Sequence, residues 1–228
     1  KVTEIKITDK RGADAIGKPQ GSYITIEAKD ISNASEMYKK KVVDILSEYI
    51  KKLLKDNISD DKCEPMTLLV AGLGNRCITS DSLGPLVVDG LMVNHHILIE
   101  SGEDGGICAI IPGVMADTGL ETADIIKGIA KQVKPSAIIA IDALAARDIS
   151  RLNTTIQLSD RGINPGSGVG NHREGINEDN IGVPVLALGV PTVIDAFTIA
   201  IDLVSPLMKE FTAEEKSAFF MKIYKEGI

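Results

Sequence analysis

The sequence contains no tryptophan, and only four phenylalanines, four tyrosines and three histidines in 228 residues. A core without aromatic bulk has to be assembled from Ile, Val, Leu and Ala, the usual filling of buried parallel strands. Cysteine is scarce too. Cys63, Cys77 and Cys108 are odd in number and far apart, with no CxxC pair, which excludes a disulfide framework and a zinc knuckle and points to a reducing, cytoplasmic setting. Lys and Arg number 25 against 32 Asp and Glu, a net charge of −7, so no nucleic-acid-binding face is expected. No apolar run reaches the ~18 residues of a membrane span, and nothing resembles a secretion signal. Several catalytic signatures are missing as well. There is no HExxH and no GxSxG nucleophile elbow. A dinucleotide fingerprint fails after "TLLVA", because Cys77 stands where its third glycine would be. "NPGSGVGN" lacks the Gly-Lys-Ser/Thr ending of a phosphate loop and reads as a tightly turned loop.

Hydrophobic residues make up 44% of the chain and charged residues 25%, the balance of an ordinary globular protein. The chain begins at Lys1 rather than Met, which suits a fragment of a longer product. "KVTEIKI" and "GKPQGSYITIEA" alternate polar and apolar residues and predict a hairpin with a long tip. From Ser35 to Leu54 the apolar residues step by three and four, which predicts an amphipathic helix. From Thr67 the pattern becomes strand, loop, helix. "TLLVAG", "ICAIIPG", "SAIIAIDA", "TTIQLSD" and "GVPVLALGVP" are expected strands. "GPLVVDGLMV", "GLETADIIKGIAKQVK" and "TVIDAFTIAIDLVSPLM" are expected helices, with a last one over residues 213–226. This alternation predicts an α/β fold, a mostly parallel sheet covered on both faces. The stretch "NISDDKCEP" (residues 57–65) is read as a joint inside a single domain, 1–228, with the hairpin and helix of residues 1–56 packed on it.

Ligands of open α/β sheets bind at the carboxyl ends of the strands. The residues after the apolar runs that carry chemistry are Asp81, Asp117, Asp142, Arg147, Asp160 and Asp195. Asp142 ends "SAIIAI" and precedes "ALAA". Apolar neighbours on both sides desolvate it and raise its pKa. With Asp81 close by, the two would share one proton, one member activating water and the other protonating a carbonyl or a leaving amine. Structural roles compete with this. Asp81 sits among Thr79, Ser80 and Ser82 and suits a helix N-cap, and Asp142 suits a cap on a short helix at "ALAAR". Asp117 and Asp160 fit turns. Asp195 fits a first helical turn. Arg147 is either a surface cation or the counter-charge to a carboxylate. His95, His96 and His172 fit surface positions better than a metal site. A Cys77 nucleophile paired with His95 or His172 finds little support.

"GLGN", "SDSLGPLVVDGL", "IIPGVMADTGLETADIIKGI", "IAIDALAARDISRLNTTIQLSDRGINPGSGVGN" and "GVPVLALGVPTVIDAFTIAIDL" resemble the germination protease family of spore-forming Firmicutes. "GADAIGKPQGSYITIEA" matches as well, so the resemblance covers residues 12–203. It implies an endopeptidase of the spore core that degrades small acid-soluble spore proteins. It further implies a self-processed zymogen and a homotetramer, with an α/β sandwich similar to that of hydrogenase-maturation endopeptidases. The acidic positions that the resemblance implies for catalysis fall on Asp81 in "TSDSLGP" and Asp142 in "AIDALAAR". Arg147 and Asp195, from the strand-end reading, are candidates to support them, and no metal or other cofactor is expected. Arg76 and Cys77 depart from the aromatic usual after "GLGN", His172 stands where lysine is common, and "HHILIESGEDGGICAIIPG" is shorter than in relatives. Two alternatives remain. The same carboxylates bind a metal, as in maturation-type endopeptidases, although no histidine in the strand-end blocks favours this. Or the strand-end glycines shape a non-enzymatic peptide-binding groove.

Overall fold

The computed structural model describes residues 1–58, 65–166 and 173–204, together with Thr212 and Glu215. In chain order the elements are β1 (Val2–Ile7), α1 (Lys10–Ile16), β2 (Gly21–Glu27), α2 (Glu36–Asn57), β3 (Thr67–Gly72), α3 (Leu83–Asp89), α4 (His95–Glu100) and β4 (Gly106–Ile110). There follow α5 (Met115–Thr118), α6 (Thr122–Val133), β5 (Ala137–Ala146), β6 (Thr155–Ser159), α7 (Glu178–Ile181), β7 (Val185–Ile194) and α8 (Ala196–Val204). Short 3-10 turns lie at Thr79–Asp81 and Ile149–Arg151. Among the described residues no helix is long and apolar enough to cross a membrane.

All the strands join one sheet in the order β1-β2-β6-β7-β5-β3-β4. β7, β5, β3 and β4 pair in parallel, while β6, β2 and β1 continue the sheet by antiparallel pairing. The sheet is therefore mixed and mostly parallel by strand direction, with β6 and β1 opposed. The expected hairpin forms, but its tip is the helix α1. Asp9 caps that helix by accepting the Gly12 N–H at 2.7 Å, and Gly17 closes it in a left-handed conformation. The hairpin is also no appendage, since β2 pairs with β6 through Tyr23–Ser159 to Glu27–Thr155.

Side chains alternate between the faces of a strand, and two apolar clusters divide accordingly. Ile138 and Ala140 of β5 pack with Ala123, Ile126 and Ala130 of α6. Ala137, the neighbour that precedes Ile138 in the strand, packs with Leu53 and Leu54 of α2 on the opposite face. The same division separates Val185 from Leu186 on β7. α2 begins at Ser35, whose hydroxyl accepts the Tyr38 N–H at 3.3 Å. α6 stops where Lys134 turns left-handed, φ 52°, just before Pro135. The result is helix, sheet, helix.

Three expectations change. The predicted helix "GPLVVDGLMV" ends at Asp89, and a separate α4 follows, because Gly90 breaks the first helix and Asn94 turns back onto the edge strand by accepting the Ile107 N–H at 2.8 Å. β5 does not stop at Ala143, nor does a short helix start at "ALAAR"; the strand runs on to Ala146, because β7 continues to pair beside it. β7 in turn takes Thr192, Val193 and Ile194 out of the predicted helix, which starts at Ala196 instead. The glycine loop around His172 (167–172), most of the joint at 57–65 and, apart from Glu215, the helix predicted over 213–226 lie outside the described residues.

α3 meets the sheet at Gly84. A Cβ there would lie 2.4 Å from the backbone N and O of Leu73 and 2.5 Å from the Ile141 carbonyl oxygen. Those atoms are backbone and cannot step aside. Gly84→Ala is expected to destabilise the protein by at least about 2 kcal/mol, read as a lower denaturant midpoint with an unchanged slope.

Candidate active site

Asp142 stands where β3 ends and β5 continues. The last β3–β5 pair is Gly72–Ile141, and Leu73 closes it by donating its N–H to the Ile141 carbonyl at 2.8 Å. One residue on, Asp142 faces Gly189 of β7, and Gly189 in turn faces Gln157 of β6. By alternation the Asp142 side chain follows Ile138 and Ala140 on the α6 face. Its chemistry is thus set at a step in the sheet: apolar layers on one side, an opening on the other.

Asp81 arrives from the loop after β3. That loop folds back because Gly74 adopts φ +104°, and a Cβ on it would fall 2.1 Å from the Asp81 carbonyl oxygen. The Asn75 N–H donates to Asp81 Oδ2 at 2.8 Å, and the Asp81 N–H donates to the Ile78 carbonyl at 2.8 Å. The Asp81 carboxylate therefore makes a local loop bond, whereas no side-chain cap bond holds the start of α3.

Both carboxylates line one cavity of about 760 Å³, together with Gln157, Lys18, Arg147 and Arg151. Asp142 is only 7% exposed. Its pKa is pushed up to about 7, mainly by burial; the Ala143 N–H, donating to Oδ1 at 2.9 Å, opposes the rise, and the Asp81 charge adds to it. That last effect means the two acids sense each other across the cavity. The same cavity is also lined by cations. The Lys18 ammonium lies 4.7 Å from the centre of the Tyr23 ring, and burial together with Arg147 and Arg151 drives its pKa down. Three like charges gathered on a cavity wall favour an anionic visitor.

The other expected positions scatter. Arg147 lines the cavity but is exposed. Asp195 is not among the cavity-lining residues; it caps α8 by accepting the Thr198 N–H at 2.9 Å. Asp117 is exposed on α5 and accepts a 3.4 Å bond from Asn75 Nδ2. Asp160 accepts the Ser22 N–H at 2.9 Å and ties β6 to β2. Arg76 forks onto Asp89 at 2.5 and 2.8 Å, and Cys77 is exposed. His95 Nδ1 donates to the Gly105 carbonyl at 2.7 Å. Among the described residues no three Asp, Glu, His or Cys side chains converge as metal ligands. Sequence reading passed over Gln157, Lys18 and Arg151. Gln157 carried a faint signal, being a long polar side chain between Ile156 and Leu158 in an otherwise apolar strand.

An α/β sheet with two carboxylates in one cavity beside its parallel strands defines a class, that of open-sheet proteins with acid–base potential at the strand ends. The sequence model of the germination protease family matches residues 1–222. The germination protease of Bacillus subtilis is 48% identical over 222 residues, that of Priestia megaterium 45% over 222, and that of Caldanaerobacter subterraneus 44% over 229. The chain belongs to the germination protease family. These alignments take in 95%, 95% and 98% of the chain but 59%, 59% and 69% of the relatives, so the chain spans about three fifths of the length of the first two. Among solved structures, a NiFe-hydrogenase maturation protease, HycI from Thermococcus kodakarensis, aligns at a TM-score of 0.35 and 14% identity, over 65% of this chain and 93% of that one.

Proposed function

We propose that the protein is an endopeptidase that cleaves small acid-soluble spore proteins with a two-aspartate mechanism, Asp142 as acid and Asp81 as base. The observation that carries this is the burial of Asp142 beside Asp81 in a shared cavity. The environment of Asp142 assigns the roles: buried, it keeps its proton near neutrality and serves as the acid, which leaves the loop-borne Asp81 to act as the base. Asp81 takes a proton from water as the water oxygen adds to the scissile carbonyl carbon. Asp142 gives its proton to the carbonyl oxygen, leaving a neutral gem-diol. Asp81 then passes its proton to the amide nitrogen, the C–N bond breaks, and Asp142 recovers a proton from one hydroxyl as the new carboxyl group forms. Both acids end as they began.

Family membership supports the substrate class, and the cationic wall of Lys18, Arg147 and Arg151 suits substrate segments bearing acidic side chains. Zymogen processing, a homotetramer, a spore-core location and a single peptidase domain over residues 1–228 belong to the same proposal. The test is incubation of the purified protein with a small acid-soluble spore protein, with and without a chelator, and mass spectrometry of the fragments. Internal cleavage at equal rates in both is expected. Loss of cleavage on chelation, restored by added metal, would replace the two-aspartate mechanism by a metal-dependent one. Saturable binding without any fragment would make the protein a binding module.

A further inference from the structure

β7 carries one residue that has no partner on β5. The register passes from Leu144–Pro191 directly to Ala145–Val193, so Thr192 is the extra residue of a β-bulge. A bulge turns one side chain out of the strand's alternation and is over-represented next to active sites. Here the Thr192 hydroxyl donates to the Ser80 carbonyl at 2.5 Å, across 112 positions of sequence. Ser80 is the middle residue of the 3-10 turn that ends in Asp81. The neighbouring bonds are local. The Asp81 N–H reaches the Ile78 carbonyl at 2.8 Å, and Ser82 Oγ donates to the Thr79 carbonyl at 2.9 Å. Such bonds fix the turn's internal shape. The Thr192 bond fixes where that turn stands relative to the sheet that holds Asp142.

We propose that Thr192 is a positioning residue: its hydroxyl, aimed by the bulge, sets the placement of Asp81 over Asp142. This rests on the two-aspartate reading above. Pro191 explains why the bulge falls here. Proline supplies no N–H to a ladder and is tolerated at bulges, and its carbonyl is taken by the Asn153 N–H at 2.7 Å.

Thr192→Val keeps the β-branched shape and removes the donor; Thr192→Ser keeps the donor. Two readouts are needed: kcat and KM on a spore-protein substrate, and the titration midpoint of the Asp142 carboxyl by carbon NMR, which needs no turnover. In T192V, kcat is expected to fall about tenfold with KM within about twofold, as misplacement of one reacting group does. The Asp142 midpoint is expected to move down, because the Asp81 charge has drifted away. T192S should restore both. In an Asp81→Asn background T192V should shift the midpoint no further, the non-additivity expected of residues that act through one another. An unchanged kcat and midpoint in T192V overturns the proposal. So does an equal shift with and without Asp81, which means general loosening of the cavity. Should Asp142→Asn cleave normally while T192V still shifts the midpoint through Asp81, the positioning role stands and the two-aspartate mechanism falls.

Discussion

Asp142→Asn is expected to abolish cleavage and make the protein more stable at pH 8. The loss of activity follows from the role: an amide cannot carry a proton to the carbonyl oxygen, and a positioned acid or base contributes roughly 10²–10⁴-fold. A fall in kcat of about 10³-fold is the expectation. The gain in stability follows from burial. In the folded protein the Asp142 pKa is pushed up to about 7, against an ordinary 3.8. A raised folded pKa means the native state holds the proton more tightly than the unfolded chain. The stability from holding that proton is complete below pH ~4 and is lost progressively as pH rises through about 7. The difference amounts to roughly 4 kcal/mol when Asp142 is fully ionised. Asparagine is neutral throughout and still accepts from the Ala143 N–H. At pH 8 the variant should therefore melt about 8–16 °C above the parent. At pH 4 the two should melt together. Thermal unfolding at the two pH values, beside the cleavage assay, checks both halves. An active variant sinks the mechanism, and equal melting at pH 8 would mean that Asp142 is not desolvated.

A site that costs stability is the pattern expected of functional residues, and here it also explains what the sequence disclosed. "SAIIAIDA" places a carboxylate inside an apolar run, which is itself a local inconsistency. That is why Asp142 was legible from one strand. The exact end of the strand was not, because "ALAA" has the same apolar composition in a short helix as in a strand continuing beside β7. Pairing with β7 decided it, a tertiary fact. Likewise "PTVI" after "GVPVLALGV" resembles the approach to a helix, with Pro191 as a stop. Only the Leu144 and Ala145 register shows a bulge that lets the strand run on past the proline. The parallel core strands were readable from continuous apolar runs. The reversal of β6 was not, since strand direction leaves no mark on "TTIQLSD". The cationic wall was hidden for a different reason. Lys18, Arg147 and Arg151 come from the loop before β2 and the turn after β5, and each alone looks like any solvated charge.

Asp81→Asn is expected to lower kcat by about 10²–10³-fold and to act on Asp142 as well. Asp81 is half-buried and held by the Asn75 N–H; asparagine can keep that bond through its carbonyl oxygen but cannot take a proton from water. Its negative charge is one cause of the raised Asp142 pKa, and burial is the larger one. Neutralising Asp81 should therefore bring the Asp142 midpoint down from about 7, yet leave it above the ordinary carboxylate range because the apolar surroundings are unchanged. The sign is fixed: a nearby anion disfavours a second anion, so its removal eases ionisation. With Asp142 as the acid, activity in the parent should decline as pH rises through about 7. In D81N the decline of any residual activity should begin at lower pH. Carbon NMR of the Asp142 carboxyl in parent and variant, beside pH–rate profiles, measures both. Retention of more than about a tenth of the parental kcat would remove Asp81 from the chemistry. A midpoint unmoved from about 7 would mean that the two carboxylates, though they line one cavity, do not work as a pair.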